Sequence, residues 1–126
     1  PNPLNYYAFT KLLGEYEAMR NKAKTVVIRC IFKPRPFKHD KAIVDQFISA
    51  YYADEQASEI VKAVRLFDKL PNIIHIGGER KSTYEFARET RDVEPIKLDK
   101  VTEVKLPRDT SLNSSLWRSI CGNPIR

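Results

Sequence analysis

Tyr7 and Lys11 stand four residues apart in the stretch Asn5-Tyr6-Tyr7-Ala8-Phe9-Thr10-Lys11-Leu12-Leu13-Gly14-Glu15. On a helix, four residues turn through about 400°, so the two side chains share one face. An ammonium about 5 Å from a phenol favours its ionised form by about 3 kcal/mol at an effective dielectric of about 20. A tyrosine so placed is suited to giving and taking a proton. By itself the spacing is weak evidence, because Tyr-x-x-x-Lys arises by chance in about one chain in five of this length. The plainer reading is a core tyrosine beside a solvated lysine. Other reactive side chains offer less. Cys30 and Cys121 form no Cys-x-x-Cys and join no His/Cys cluster, so no zinc site is expected. Two lone thiols suit a reducing cytoplasm. His75 lies in an apolar run and reads as a satisfied core histidine, and His39 as an exposed one in a basic loop.

The elements that must position Tyr7 and Lys11 follow from periodicity. A helix is expected from about Asn5 to Lys22, with Asn5 as N-cap and Phe9, Leu12, Leu13, Tyr16 and Met19 at helical spacing. Gly14 inside it costs about 1 kcal/mol against Ala, which suggests a close approach there. The β-branched run Thr25 to Phe32 is expected as a strand buried on both faces. Lys33-Pro34-Arg35-Pro36-Phe37-Lys38 must be a loop, since two prolines forbid helix and central strand. Lys41 to Ser49 is expected as a short helix with Ala42, Ile43, Phe47 and Ile48 inward. Asp54 is expected to cap a longer helix whose stripe is Ala57, Ile60, Val61, Val64 and Phe67, stopped by Leu70-Pro71. Asn72 to Ile76 is a second buried strand, ended by Gly77-Gly78. Ser82-Thr83-Tyr84-Glu85 is a capping box that opens a short helix. Pro95 to Leu98 is a strand candidate. Pro107 to Leu112 is a loop leading to a last helical turn near Leu116.

The order strand, helix, strand, helix is the α/β signature. The chain has 126 residues, one domain's worth. Charged residues are 30% and hydrophobic ones 42%, which excludes a disordered, collagenous or mucin-like chain. No apolar run reaches the roughly 18 residues of a membrane span, and the start does not read as a signal peptide. The formal charge of +6 and the basic loop Lys33 to Lys41 raise the question of nucleic acid. Both signs are interspersed and no binding module appears, so nucleic acid is not the expected partner.

Beyond these patterns, Tyr7-Ala8-Phe9-Thr10-Lys11-Leu12-Leu13-Gly14-Glu15 resembles the catalytic helix of the extended short-chain dehydrogenase/reductases, slot by slot. Val26-Val27-Ile28-Arg29 is similar to the strand that follows it in that family. Tyr52-Ala53-Asp54 resembles the segment that opens the next helix. Ile73 to Gly78 with Tyr84-Glu85-Phe86-Ala87 is similar to the later strand, turn and helix. Pro107-Arg108-Asp109-Thr110-Ser111-Leu112 resembles the C-terminal signature of the dTDP-4-dehydrorhamnose reductase branch. The likeness runs from about Pro1 to Leu116.

The resemblance implies a Rossmann-like α/β fold, here its C-terminal part, as an incomplete parallel sheet with flanking helices. It implies reduction of a nucleotide-linked 4-keto sugar with NADPH or NADH. Tyr7 would protonate the keto oxygen, and Lys11 would hold the nicotinamide ribose. Cys30, Ile31 and Phe32 would lie by the carboxamide, with Lys33, Arg35 and Arg108 by the substrate diphosphate. The family's glycine-rich phosphate loop is not found: Gly14, Gly77, Gly78 and Gly122 make no G-x-G-x-x-G. The chain therefore reads as residues 1–126 of a single catalytic and substrate-binding part without its dinucleotide-binding half, with little activity expected of it alone. A homo-oligomer covering the open sheet edge is expected. The alternative is a non-catalytic dimerisation module with Phe32, Phe37, Tyr51 and Tyr52 as interface anchors.

Overall fold

The computed structural model describes residues 2–122; Pro1, at the start of the stretch resembling the reductases, and residues 123–126 lie outside the described residues. Helix α1 spans Tyr6–Met19, capped by the Asn5 Oδ1 that accepts the Ala8 N–H at 2.8 Å. No residue of α1 is buried, and its inward face is the half-buried trio Ala8, Leu12 and Glu15. Of the apolar positions expected to pack, only Leu12 does; Phe9, Leu13, Tyr16 and Met19 face outward. The helix forms because cap and spacing favour it, and among the described elements it lies chiefly on the strand that follows it. Gly14 has no neighbour within 4 Å of where a Cβ would stand, so no close approach explains it.

The expected single strand after α1 is two. Strand β1 is Val27–Arg29 and β2 is Phe32–Lys33. They pair with different partners, so the chain must break step between them. β1 runs parallel to β6 (Ile73–His75), with Arg29 opposite His75. β2 runs parallel to β5 (Tyr51–Tyr52). β1 is half-buried rather than covered on both faces, and its second edge pairs with no described strand.

Lys41 to Ser49 is not helical. It forms β3 (Lys41–Ile43), a turn, and β4 (Phe47–Ile48). The apolar positions 42, 43, 47 and 48 fit neither period strictly, and ladder bonding decides the outcome. β3 pairs in parallel with β8 (Glu94–Ile96), and β4 pairs antiparallel with β7 (Lys81–Ser82). The Ser82 capping box opens α3 (Thr83–Arg88) as expected. The loop from Pro107 leads to α4 (Ser115–Cys121), longer than the single turn foreseen.

Helix α2 (Ala53–Arg65) begins two residues earlier than expected. Its N-cap is Tyr52, the last residue of β5, and the Glu55 carboxylate accepts the Tyr52 N–H at 3.2 Å. Asp54 sits in the first turn instead of capping. The stripe Ala57, Ile60, Val61, Val64 and Phe67 points to solvent, with Val64 69% exposed. Gln56 and Ala63 are buried in its place. Ala63 lets the helix approach Ile74, Ile76, Leu70 and Trp117, which form one of two cores. Trp117 also donates its indole N–H to Glu59 at 2.9 Å, so the polar side of α2 is drawn inward. The second core gathers Phe37, Ala42, Ile48, Tyr52, Phe86 and Val93. Phe37 and Tyr52 are therefore core rather than interface anchors. Tyr52 stacks on Phe86 at 4.2 Å and donates to the Phe86 carbonyl at 2.7 Å. No helix among the described residues is long and apolar enough to cross a membrane.

Candidate functional site

Tyr7 and Lys11 share a face of α1, as their spacing demands. The Lys11 Nζ lies 5.4 Å from the Tyr7 ring centroid. The Tyr7 ring is 69% exposed, so its phenol is open to a reactant. The Thr10 hydroxyl donates to the Tyr7 carbonyl at 2.7 Å, within the same turn. The bland alternative of a core tyrosine is excluded by this exposure.

One turn on from Lys11, Glu15 reaches the sheet. Its two oxygens accept from Arg29 Nε and Nη2, both at 2.8 Å. The fork holds the Glu15 carboxyl below its ordinary range, and the same bonds raise Arg29 further. Arg29 Nη1 also lies 3.4 Å from His75 Nε2 on the neighbouring strand. His75 is thus half-buried beside a cation, rather than enclosed in apolar packing.

Cys30, Ile31 and Phe32 follow Arg29 directly. Cys30 and Ile31 are half-buried, and burial pushes the Cys30 thiol up, so it rests as a thiol. The Ile31 carbonyl accepts the Tyr51 N–H at 3.1 Å, which pins the segment to β5. Phe32 is 57% exposed and free to stack on a planar ligand. Its neighbour Lys33 is half-buried and has no carboxylate partner among the described residues.

The other two expected diphosphate contacts are less available. Arg35 pairs with Asp54 at 3.2 Å and with Glu55 at 3.5 Å, and lies over the Tyr52 ring at 4.5 Å. Arg108 faces Asp45 at 3.5 Å from a different loop. An anion would have to compete with these carboxylates, although all of them are solvent-exposed enough to yield. The Glu15–Arg29 fork ties the helix that carries Tyr7 and Lys11 to the strand that leads into Cys30–Phe32, and Arg35 and Arg108 stand in ion pairs of their own.

Sequence reasoning saw Glu15 and Arg29 separately but not their pairing. The signal was an acid on the inward side of the helix and a base at the end of the strand behind it. It also missed a cavity of about 550 Å³, whose lining includes Tyr51, Glu59, Lys62, Lys81, Trp117 and Arg118. None of the expected site residues lines it.

No family model matches the chain, and no curated protein does. Solved structures do. A hypothetical dTDP-4-dehydrorhamnose reductase from Sulfolobus tokodaii is 29% identical, with a TM-score of 0.74, over 95% of this chain and 50% of that one. The chain resembles dTDP-4-dehydrorhamnose reductases. A second such reductase, from Bacillus anthracis and in complex with NADP, is 17% identical with a TM-score of 0.76, over 99% of this chain and 52% of that one. The chain spans about half the length of these solved reductases, and its mixed α/β architecture of short parallel ladders and flanking helices is theirs.

Proposed function

We propose that this chain carries the proton-transfer part of a reductase that uses NADPH or NADH to reduce a nucleotide-linked 4-keto sugar. The observation that supports it most is the exposed Tyr7 with Lys11 beside it, on a helix tied to the strand that leads into Cys30–Phe32. The residues present fit one end of such a cofactor. Lys11 has the reach and donors for ribose hydroxyls, and exposed Phe32 offers a face to the nicotinamide. They do not fit the other end, because no glycine-rich turn is found in the sequence. The pyrophosphate would be held by an α/β part outside residues 1–126, seated on the open edge of β1. When bound, the cofactor supplies a hydride to the keto carbon. Tyr7 gives its phenolic proton to the keto oxygen, and Lys11 stabilises the phenolate left behind. Lys33, which has no carboxylate partner among the described residues, would meet the substrate diphosphate. Arg35 and Arg108 would join it by leaving Asp54 and Asp45.

Reduced nicotinamide mononucleotide, which lacks the second half of the cofactor, tests this directly. Titrated into isotopically labelled protein, it is expected to shift the amide resonances of Tyr7, Lys11 and Cys30–Phe32, weakly but saturably. Lys11→Ala should abolish those shifts. Shifts scattered over the surface, or none, would overturn the reading. A second reading is a non-catalytic dimerisation module, favoured by the outward stripe of α2. It predicts concentration-dependent shifts at Ile60, Val61 and Val64 without any nucleotide.

A further inference from the structure

Helix α1 is fastened in an unusual way for an element that carries the reactive pair. It has no buried residue, and its inward face is only half-covered. Among the described residues, its only side-chain hydrogen bonds to another element are the two that join Glu15 to Arg29. Both side chains of that pair are largely shielded, at 18% and 28% exposure, so water weakens it less than a surface pair. The two parallel bonds fix an angle as well as a distance, which a single point contact cannot do.

We propose that Glu15 and Arg29 are positioning residues that set the direction of α1, and with it where Tyr7 and Lys11 stand relative to Cys30–Phe32. This rests on the proposed function for its catalytic meaning. At about 1.5 Å of rise per residue, Lys11 lies about 6 Å and Tyr7 about 12 Å along the axis from Glu15. A tilt of about 5° around the fork therefore moves Tyr7 by about 1 Å. Displacement of a reacting group by about 1 Å can cost about 100-fold in rate. Arg29 is also the residue next to Cys30, so one side chain references both halves of the site to each other. His75 supports its far side from β6, through the contact between Arg29 Nη1 and His75 Nε2.

The test is the orientation of α1 against the sheet, read from backbone residual dipolar couplings in the full chain. In the unaltered protein, one alignment tensor should fit both α1 and the β1–β6 ladder. Arg29→Lys keeps the charge and loses the fork. It should leave α1 helical by chemical shift and the fold cooperative, with a lower melting midpoint because the stabilisation from the fork is lost. The apparent alignment of α1 should fall by about a third, the gap between rigid and mobile backbone order. Glu15→Gln should do the same, and it guards against an Arg29 variant that fails to fold. The exchanged pair, Glu15→Arg with Arg29→Glu, should restore the single tensor. A tensor still shared in both single variants would overturn the proposal, and so would a separate tensor in the unaltered protein. The mononucleotide titration is independent of these couplings. If it fails while they behave as expected, the functional reading is overturned and the fork is left as a mechanical fastening only.

Discussion

Asp109 shows how one carboxylate can hold a loop. Its Oδ1 accepts from the Ser111 N–H at 2.9 Å and from the Ser111 hydroxyl at 2.6 Å, and its Oδ2 accepts from Arg80 at 3.0 and 3.2 Å. These donors favour the charged form and bring its pKa down from 3.8 to about 2, the Ser111 bonds contributing most. A folded value below the unfolded one gives stability that is present above about pH 4. It is lost as pH falls toward 2, because there the unfolded chain binds more protons. Glu15 and Glu85 are lowered in the same sense, so they add to the same acid limb. Urea midpoints measured between pH 4 and pH 2 should therefore fall less steeply in Asp109→Asn than in the unaltered chain. Parallel limbs would show that Asp109 does not contribute. The effect is modest, since Asp109 is 45% exposed and solvent screens it.

At the scale of elements, two glycines make opposite cases. Gly14 is mid-helix with open space around it, so Gly14→Ala should stabilise by about 1 kcal/mol through helix propensity alone. At Gly77 a Cβ would meet the Ser49 carbonyl at 2.8 Å and its hydroxyl at 2.9 Å. That hydroxyl already accepts the Leu112 N–H at 2.8 Å, so the neighbour cannot give way. Gly77→Ala should destabilise by about 1–3 kcal/mol. Thermal melts of the two variants should move in opposite directions, and a shift of the same sign in both would refute the account. The same contrast explains what could be read in advance. Asn5 and Ser82 announced their helices because capping is local chemistry, and Ile73–His75 announced its strand because its apolar run is bounded by Pro71 and Gly77. Lys41–Ile48 misled because its ladder partners, Glu94–Ile96 and Lys81–Ser82, are remote in sequence. The inward face of α2 misled for a related reason: Glu59 is drawn in by Trp117, a partner far along the chain. Tyr7 and Lys11 were legible because four residues on a helix need no tertiary information. The Arg35–Asp54 and Arg108–Asp45 pairs were not, since they join separate loops and elements.

For the whole molecule, many of the outward apolar residues among those described fall on two helices. α1 presents Tyr6, Phe9, Leu13 and Tyr16, and α2 with the turn after it presents Ile60, Val61, Val64 and Phe67. Such surface, next to an unpaired strand edge, favours association. The charge of +6 opposes it at long range. Salt should therefore raise the weight-average mass in light scattering, the reverse of its effect on a nucleic-acid complex. Val61→Glu with Val64→Glu should lower that mass while the melting midpoint stays within about 1 °C, as surface changes do. A monomer at every salt concentration would argue against the association.

The stretch from Thr102 to Leu106 is exposed throughout, yet the chain is held firmly on both sides of it. Before it, β8 is zipped to β3. After it, Phe47 exchanges bonds with Arg108 and Thr110 at 2.9 and 3.0 Å, the Ser114 hydroxyl accepts the Gly77 N–H at 2.8 Å, and Trp117 is buried in a core. The covalent link between these anchors is thus mechanically idle. Brief trypsin treatment, cutting after Lys105, should yield two pieces that part on a denaturing gel but travel together through a sizing column, as a protein reassembled from its own fragments would.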